Sequence, residues 1–442
     1  MIVNHQDTIF ALASAHGAAG IAVIRVSGTQ SLNSAKKLTG KTNIQPRLAT
    51  FTSLKDHGGN VIDQAVITYF KGPNSYTGED TVEYAVHGSR AVIDRLFEEF
   101  SSFDSHRMAE AGEFTKRAFV NGKLDLTAAE AVNDLIYAET EAQRALAVDQ
   151  LSGSLEGLYH NWSSRLAKLL AHQEAEIEFP DEDMPDGIDD NVRKKVNALI
   201  DEISDHLDDN NRGERMREGM QIAIIGAPNV GKSSLLNLLA RREAAIVSDI
   251  AGTTRDVVDV SLNLGGYPVV ISDTAGIRHD HSDKVEAEGI RRAIQRAEDA
   301  DLKVAVFDGS ESTMDKDTKN MIDDKTVVVI NKTDLGILEY KGPHIAVSCE
   351  NQNGIQDLVQ TLTDQAKSFF AAGGNSPVLT RKRHRENLKA CNDFLKNALD
   401  ADLPELAAED LRQALMSIGR ITGRVDVEQL LDIVFKDFCI GK

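Results

Sequence analysis

The sequence predicts a multidomain protein in which an α/β domain is inserted into a helical domain and preceded by an α+β domain. Strand-like and helix-like segments alternate over residues 221–369, which is typical of a parallel sheet covered by helices. Ala, Leu, Glu and Gln dominate from Thr127 to about Glu178, and helical periodicity returns after Ser376. Short β-branched runs precede both regions.

Residues 1–117 are expected to form the α+β domain. Runs at Ile21–Val26, Val66–Phe70 and Thr81–Val86 have the length and composition of strands, and Gly- and Pro-rich turns separate them.

Residues 118–217 and 376–442 are expected to form one discontinuous helical domain. Thr127-Ala-Ala-Glu130 matches a capping box and predicts that a helix begins there. Residues 174–190 hold nine acidic and no basic side chains, which predicts a solvated connection. Further helices are predicted at Leu388–Leu399, Leu406–Ile418 and Val427–Phe435.

Residues 218–375 are expected to form the inserted α/β domain, with a return linker at Gly373–Pro377. Gly265-Gly266 predicts the turn of a β-hairpin between Asp256–Leu264 and Tyr267–Ser272. Buried parallel strands are predicted at Ile222–Ile225, Val304–Phe307, Val327–Ile330 and Ile345–Val347.

The net charge of −20 is concentrated in the middle of the chain. Residues 1–117 and 376–442 are balanced, whereas 118–217 carry net −12 and 218–375 net −8. This acidity argues against a protein that coats nucleic acid, because such binding neutralises phosphates. Three scattered cysteines, no signal layout and no apolar span predict a cytoplasmic protein that does not enter a membrane.

Residues 226–233 carry a phosphate-binding signature, a P-loop. Gly226-Ala-Pro-Asn-Val-Gly231-Lys232-Ser233 matches G-x-x-x-x-G-K-[ST] between a predicted strand and helix. The glycines let backbone N–H groups converge on phosphates, Lys232 reaches the β- and γ-phosphates, and the Ser233 hydroxyl can bind Mg²⁺. The alternative, a glycine-rich structural turn, is disfavoured by the strand–loop–helix setting.

Two further motifs narrow the nucleotide to GTP. In Asp273-Thr-Ala-Gly276 the carboxylate can hold Mg²⁺ through water and the glycine N–H can bond a γ-phosphate. In Asn331-Lys-Thr-Asp334 one carboxylate can accept both adjacent N–H donors of guanine, a pair that adenine lacks. A helix N-cap is the alternative role for Asp334.

The third base-binding element is predicted at Ser348-Cys349-Glu350. Cys349 is small enough to preserve a backbone contact with the base, while Glu350 is an unusual residue for packing against it.

Sequence blocks along the whole chain are shared with one family. They include Gly72-Pro-Asn-Ser-Tyr-Thr-Gly-Glu79-Asp80, Gly112-Glu-Phe-Thr-Lys-Arg117, the P-loop, Asp249-Ile-Ala-Gly-Thr-Thr-Arg255-Asp256 and Cys439-Ile-Gly-Lys442. Through them the chain resembles the bacterial tRNA modification GTPase MnmE (TrmE) family.

The resemblance implies a Ras-like P-loop GTPase domain inserted into a helical domain, after an α+β folate-binding domain that also dimerises. It implies a flavin-containing MnmG-type partner in a heterotetramer or larger assembly. Together they place a carboxymethylaminomethyl-type group on carbon 5 of the tRNA wobble uridine. A tetrahydrofolate derivative, in its 5-formyl or methylene form, is implied to supply the one-carbon unit.

The resemblance also implies roles in hydrolysis. Glu286 is implied to act through the attacking water, with Glu288 as the competing alignment; a solvated helix residue is the alternative role. Lys232 is the other catalytic residue. Implied K⁺ ligands are Asn229, otherwise an ordinary turn residue, and Ser248, Ile250 and Thr253. Implied Mg²⁺ ligands are Ser233 and Thr254.

The GTP-binding residues expected from the motifs and the resemblance are Asn229, Val230, Gly231, Lys232, Ser233, Ser234, Ser248, Asp249, Ile250, Ala251, Gly252, Thr253, Thr254, Asp273, Thr274, Ala275, Gly276, Asn331, Lys332, Asp334, Ser348, Cys349 and Glu350.

Folate contacts are implied at Arg25, Glu79, Lys123 and Lys442. An anionic glutamate tail suits Arg or Lys, and a carboxylate can pair with pterin N–H donors. The alternative is four surface salt-bridge residues. Cys439 is either a reactive thiol near the folate or a structural cysteine.

Two other functions fit parts of the sequence: a stand-alone folate-dependent one-carbon transferase with a regulatory GTP site, and a regulatory switch GTPase for ribosome assembly. The neutral charge of residues 1–117 argues against the second. The basic run Arg381-Lys-Arg-His-Arg385 is either an RNA or partner contact or a solvated face.

Overall fold

The computed structural model describes residues 7–178, 190–242, 259–273, 295–336, 338–371, 377–425, 431, 434–435 and 438–441. Most of the acidic connection, most of the return linker and most of the helix predicted at Val427–Phe435 lie outside these residues.

The N-terminal part contains a six-stranded sheet in the order β3-β4-β5-β2-β1-β6. All neighbours are antiparallel except β1 and β6, which run parallel. The strands are β1 Thr8–Leu12, β2 Ala19–Ser27, β3 Thr50–Lys55, β4 Val61–Phe70, β5 Thr81–Gly88 and β6 His106–Met108. The three strands predicted in this region are confirmed, as is its α+β character.

Helices cover one face of this sheet because their apolar stripes match its buried face. Leu38 of the helix Ser31–Thr39 and Phe100 of the helix Arg90–Ser102 join Phe10 in one core. Each such buried side chain contributes roughly 1.5–3 kcal/mol.

A second six-stranded sheet has the order β12-β11-β10-β7-β9-β8. Only β8 is antiparallel to its neighbour. The strands are β7 Met220–Ile225, β8 Asp259–Leu264, β9 Tyr267–Asp273, β10 Leu302–Asp308, β11 Thr326–Asn331 and β12 Ile345–Ala346. All four predicted parallel strands are confirmed.

Alternate residues of β7 point into different cores: Ile222 and Ile224 into one, Ala223 and Ile225 into the other. Burial on both faces explains why β7 is a continuous apolar run. The helices on this sheet are Lys232–Arg242, Lys316–Asn320 and Ile355–Ala371.

The predicted hairpin is confirmed between β8 and β9. Gly265 and Gly266 have φ of 60° and 93°, so both central residues of the turn lie in the left-handed region that a tight hairpin of this twist demands.

The remaining helices are Glu113–Val120, Leu126–Ile136, Glu141–Leu151, Ser154–Glu178, Asp190–Leu207, Arg212–Glu218, Lys382–Asp400 and Pro404–Thr422. The helical character predicted for Thr127 to Glu178 is confirmed, but the capping box is misplaced. Asp125 caps the first helix, because its carboxylate accepts from the Ala128 N–H at 2.8 Å and the Thr127 hydroxyl at 2.8 Å. A reciprocal capping pair occurs instead at Thr140 and Gln143.

The chain folds into two compact units: 1–133 with 150–170 and 412–442, and 134–149 with 171–411. The three-domain boundaries at 117, 217 and 375 stay predictions. No helix among the described residues is long and apolar enough to cross a membrane.

Candidate nucleotide-binding site

The predicted nucleotide motifs follow β7, β9, β11 and β12, so they begin at the carboxyl edge of the second sheet, the usual ligand edge of such sheets. Asp273, the last residue of β9, pairs with Ile224 of β7. The Asp-Thr-Ala-Gly segment therefore begins beside the P-loop.

The P-loop requires glycine at both ends. Gly226 has φ of 156°, and a Cβ there would lie 2.5 Å from the Val306 carbonyl oxygen. Gly231 has φ of 98°, and its Cβ would lie 2.3 Å from Asn331 Nδ2. Asn229 between them is exposed and has φ of 62°. The loop is shaped by close backbone contacts, as a structural turn would also be, but its position at the ligand edge favours phosphate binding.

Lys232 is buried with its ammonium held over the loop. Its Nζ donates to the carbonyl oxygens of Gly226 and Ala227, each at 2.8 Å. The positive charge is thus fixed at the first residue of the helix Lys232–Arg242, where the backbone dipole already favours an anion. Ser233 and Ser234 lie on the same first turn, where Ser234 is exposed.

Asn331, a predicted GTP-binding residue, has both polar ends of its side chain hydrogen-bonded within the protein. It is 1% exposed; its Nδ2 donates to the Val230 carbonyl at 2.8 Å, and its Oδ1 accepts from the Cys349 N–H at 3.2 Å. Asn331 therefore joins the P-loop to the third base element.

Asp334 is oriented by the third base element. The Ser348 hydroxyl donates to Asp334 Oδ1 at 2.5 Å, and Ser348 is itself buried. Residues 333–335 form a turn, so the helix N-cap alternative is wrong. Held this way, the Asp334 carboxylate can accept the paired donors of guanine.

Cys349 and Glu350 follow Ser348 on the surface of the loop. Cys349 is half-buried, and burial raises the pKa of its thiol, which makes it a poor nucleophile. Glu350 is exposed.

Part of the predicted site lies outside the described residues, and Asp273 is described by its backbone alone. The predicted positions outside are Ser248, Asp249, Ile250, Ala251, Gly252, Thr253, Thr254, Thr274, Ala275, Gly276, Glu286, Glu288 and Lys442.

The predicted folate residues Arg25 and Glu79 lie near each other in the N-terminal unit. Arg25 and Ser27 are two apart on β2 and so share a face, and the Ser27 hydroxyl donates to Glu79 at 2.8 Å. The Arg25 guanidinium pairs with Glu83 and lies 5.1 Å from the centre of the Tyr76 ring. Its buried Nη1 has no hydrogen-bond partner among the described residues.

Arg117 joins this cluster of charged residues, although the sequence predicted no role for it. It is 1% exposed, and its Nη1 contacts both Glu79 carboxylate oxygens at 3.1 Å. Arg117 also donates to Glu113 at 3.0 Å, and Arg107 donates to the same carboxylate at 2.6 Å. Glu113 and Arg117 stand four apart on one helix, a spacing that could have suggested the pair.

The charges in this cluster compensate one another. Burial raises the pKa of Glu113, but hydrogen bonds from Arg107 and the Glu110 N–H, with the charge of Arg117, outweigh burial and hold it below its usual range. Arg25 and Glu79 do form ion pairs, as the alternative for them requires, yet their side chains are only 13% and 14% exposed.

Lys123 and residues 439–441 belong to the same unit. The exposed Lys123 Nζ donates to the Pro73 carbonyl at 3.0 Å. Ile440 pairs with Ala111, and a Cβ on Gly441 would lie 2.1 Å from the Leu12 carbonyl oxygen. Cys439 is half-buried.

The basic run beginning at Arg381 is largely paired inside the second unit. Arg385 is 9% exposed and binds Asp209 and Glu214, and Arg381 binds Asp134 at 2.7 Å. A solvated face and an RNA contact are therefore both wrong for Arg385.

Two family models match the chain: one described as GTP-binding protein TrmE N-terminus over residues 8–123, and one described as MnmE helical domain over residues 126–439. A protein named tRNA modification GTPase MnmE from Paramagnetospirillum magneticum is 50% identical over 99% of this chain and 100% of its own length. The protein of the same name from Rhodospirillum rubrum is 48% identical over 99% of both chains.

Two solved structures resemble part of the chain. Aquifex aeolicus Era bound to GDP and AlF4⁻ has 23% identity and a TM-score of 0.26, covering 39% of this chain and 66% of that chain. The G domain of the T. maritima FeoB iron transporter has 19% identity and a TM-score of 0.26, and the match covers 33% of this chain and 98% of that chain.

Proposed function

Because this chain belongs to the MnmE family of tRNA modification GTPases, we propose that it couples GTP hydrolysis to the modification of the tRNA wobble uridine. The observation that carries the proposal is 46–50% identity to proteins of that name over 99% of the chain. With a flavin-containing MnmG-type partner, it installs a carboxymethylaminomethyl-type group at carbon 5, using a tetrahydrofolate one-carbon unit.

In the proposed hydrolysis the chain's own groups bind and orient the triphosphate. The P-loop N–H groups and Lys232 hold the phosphates, and Asp334 selects the guanine base. Ser233, on the first helical turn, offers the hard oxygen that Mg²⁺ requires, together with Thr254. Glu286 orients the attacking water, with Glu288 as the competing assignment. When bound, Mg²⁺ would neutralise negative charge on the phosphates.

The proposed K⁺ site uses the P-loop residue Asn229 with Ser248, Ile250 and Thr253. Asn229 fits because its side chain is exposed in a loop beside the phosphate position and carries an amide oxygen. Bound K⁺ supplies positive charge as the γ-phosphate leaves.

The proposed folate site comprises Arg25, Glu79, Lys123 and Lys442. The buried Arg25 Nη1, which has no partner among the described residues, suits an anionic or carbonyl acceptor, and the carboxylate of Glu79 suits the N–H donors of a pterin. Bound folate supplies the one-carbon unit; Arg25 and Glu79 bind and orient it.

We expect a homodimer formed through the N-terminal domain and a heterotetramer or larger assembly with the partner. The net charge of −20 opposes tight binding of tRNA by this chain alone, so the partner is expected to carry the more basic surface.

Mass spectrometry of tRNA nucleosides from cells lacking the gene tests the main proposal. We expect loss of the modified wobble uridine and its restoration by the wild-type gene. A normal nucleoside profile would overturn the proposal and favour the ribosome-assembly switch, whereas loss that Lys232→Ala fully restores would favour the stand-alone transferase.

GTP hydrolysis in K⁺ compared with Na⁺ tests the ion site. We expect a several-fold higher rate in K⁺ for the wild type and equal rates in the two salts for Asn229→Ala. Equal rates for the wild type would remove the K⁺ assignment.

Two variants decide the catalytic glutamate. We expect Glu286→Ala to abolish hydrolysis while GTP binding is retained, and Glu288→Ala to hydrolyse GTP. The opposite pattern would move the role to Glu288.

A further inference from the structure

The loop that follows β10 contacts residues 331–336, which include the predicted guanine-binding residue Asp334. No sequence motif marks the loop after β10. The Gly309 N–H donates to the Asn331 carbonyl at 2.6 Å. A Cβ on Gly309 would lie 2.8 Å from that oxygen, and a Cβ on Gly336 would lie 2.9 Å from the Gly309 carbonyl oxygen. The two loops therefore pack backbone to backbone, at a distance that only glycine allows.

Asp308, the last residue of β10, forms the side-chain link between these loops. Its Oδ2 accepts from the Lys332 ammonium at 2.6 Å. Its Oδ1 accepts from the Ser310 N–H at 3.0 Å and the Ser310 hydroxyl at 2.6 Å. Burial raises the pKa of Asp308, but the hydrogen bonds from Lys332 and Ser310 outweigh it and lower the pKa, so Asp308 is ionised at neutral pH.

Lys332 needs such an anchor because its backbone is strained. Its φ is 60°, in the left-handed region that a lysine rarely adopts. Its neighbours are held as well: Asn331 binds Val230 and Cys349, and the Thr333 hydroxyl donates to the Val347 carbonyl at 2.9 Å. The residues that lead to Asp334 are thus tied to the P-loop, to the end of β10 and to residues 347–349.

We propose that Asp308 is a positioning residue for the guanine-binding loop: by holding Lys332, it keeps residues 331–334 in the conformation in which Asp334 receives the base. The inference rests on the proposed role of Asp334 in guanine binding. Because the base is common to both nucleotides, Asp308 affects GTP and GDP alike and leaves the chemical step unchanged.

Nucleotide affinity and steady-state kinetics of Asp308→Asn test this role. We expect the Kd for fluorescent GTP and GDP, and the KM for GTP, to rise about 10-fold, the scale for loss of a charge-assisted hydrogen bond. We expect kcat to stay within about twofold. A fall in kcat with unchanged Kd would overturn the proposal.

Asp315→Asn is the matched control. Asp315 is also an aspartate held by hydrogen bonds, but it caps the helix Lys316–Asn320 through Thr318. We expect unchanged nucleotide affinity. An equal loss of affinity in Asp315→Asn would show that the effect at Asp308 is general destabilisation, and would contradict the proposal.

A double-mutant cycle with Lys332→Met tests whether Asp308 affects nucleotide affinity through Lys332. We expect Asp308→Asn to add no further loss of affinity in the Lys332→Met background; additive losses would contradict the link.

Asp334→Ala distinguishes failure of the guanine-binding assignment from failure of the positioning role. If it leaves GTP affinity unchanged, the base assignment itself fails; if it weakens GTP binding while Asp308→Asn does not, only the positioning role fails.

Discussion

The nucleotide loops and the cluster around Arg117 hold their polar groups in different ways. The nucleotide loops rely on close contacts that only glycine permits, with the Val306 carbonyl at Gly226 and with the Asn331 side chain at Gly231. The N-terminal cluster relies on buried ion pairs, in which Arg117 bonds Glu79 and Glu113. The glycines of the first arrangement belong to a short motif, whereas in the second the pairing of Arg117 with Glu79 joins residues 38 apart in sequence.

The difference predicts which property each region loses when it is mutated: stability, or nucleotide binding and catalysis. A buried charge that loses its partner cannot be resolvated, so the cluster should fail by unfolding. A loop at the edge of a sheet is supported by a separate core, so the nucleotide site should fail in binding or catalysis while the fold remains.

The largest expected effect is that of Arg117→Met, which leaves Glu79 without its cation and Glu113 with Arg107 alone. We expect the free energy of unfolding of the N-terminal unit to fall by about 3–5 kcal/mol. Trp162, the single tryptophan, is buried in that unit, so its fluorescence during urea unfolding measures the loss.

Arg95→Met is the matched control. Arg95 also binds several carboxylates, but its side chain is 43% exposed. We expect a much smaller loss than for Arg117→Met, because solvent screens exposed ion pairs. Similar losses in the two variants would show that burial does not distinguish them and would remove the contrast between the two regions.

Lys232→Ala should show the next largest effect, on catalysis instead of stability. Removing the ammonium at the P-loop should lower the rate of GTP hydrolysis by roughly 100- to 1,000-fold. Hydrogen exchange of the β11 amides, which belong to the same unit as Lys232, should not change. Lys303→Ala is the control, because Lys303 also donates to a backbone carbonyl but lies on β10; a comparable rate loss there would contradict the assignment.

Asn331→Ala tests a residue that belongs to a nucleotide motif and is also held by buried hydrogen bonds. It leaves the Val230 carbonyl and the Cys349 N–H without their partner, so we expect a loss of about 1–3 kcal/mol in the stability of the second unit. Hydrogen exchange of the β11 amides measures this loss. Asp334→Ala should weaken GTP binding without the change in exchange; identical exchange in both variants would mean that Asn331 does not join the loops.

The smallest expected effect is a pH dependence from Glu113. Its pKa is lowered in the folded state from the ordinary value of 4.5, so its stabilisation is present above about pH 4.5 and is lost as pH falls through the lowered value. Glu113→Gln should reduce the loss of stability, seen by Trp162 fluorescence, between about pH 5 and pH 3. An unchanged slope would show that Glu113 does not contribute.

Local patterns predicted much of the fold. The parallel strands and the Gly265-Gly266 hairpin follow from apolar runs and turn chemistry within a few residues. Competition between neighbouring polar residues was harder to predict: Asp125 caps the helix where Thr127 was expected, because the Asp125 carboxylate accepts from both the Ala128 N–H and the Thr127 hydroxyl.

The sequence by itself determined the phosphate loop, the guanine-type motif and the family, because each depends on residue identities at short fixed spacings. Only the tertiary structure decided the roles of Arg117, Asn331 and Asp308. Their partners lie on other strands and loops, such as Glu79 for Arg117 and Lys332 for Asp308. Ion pairs between distant segments have no sequence period, so they become visible only when folding has brought the segments together.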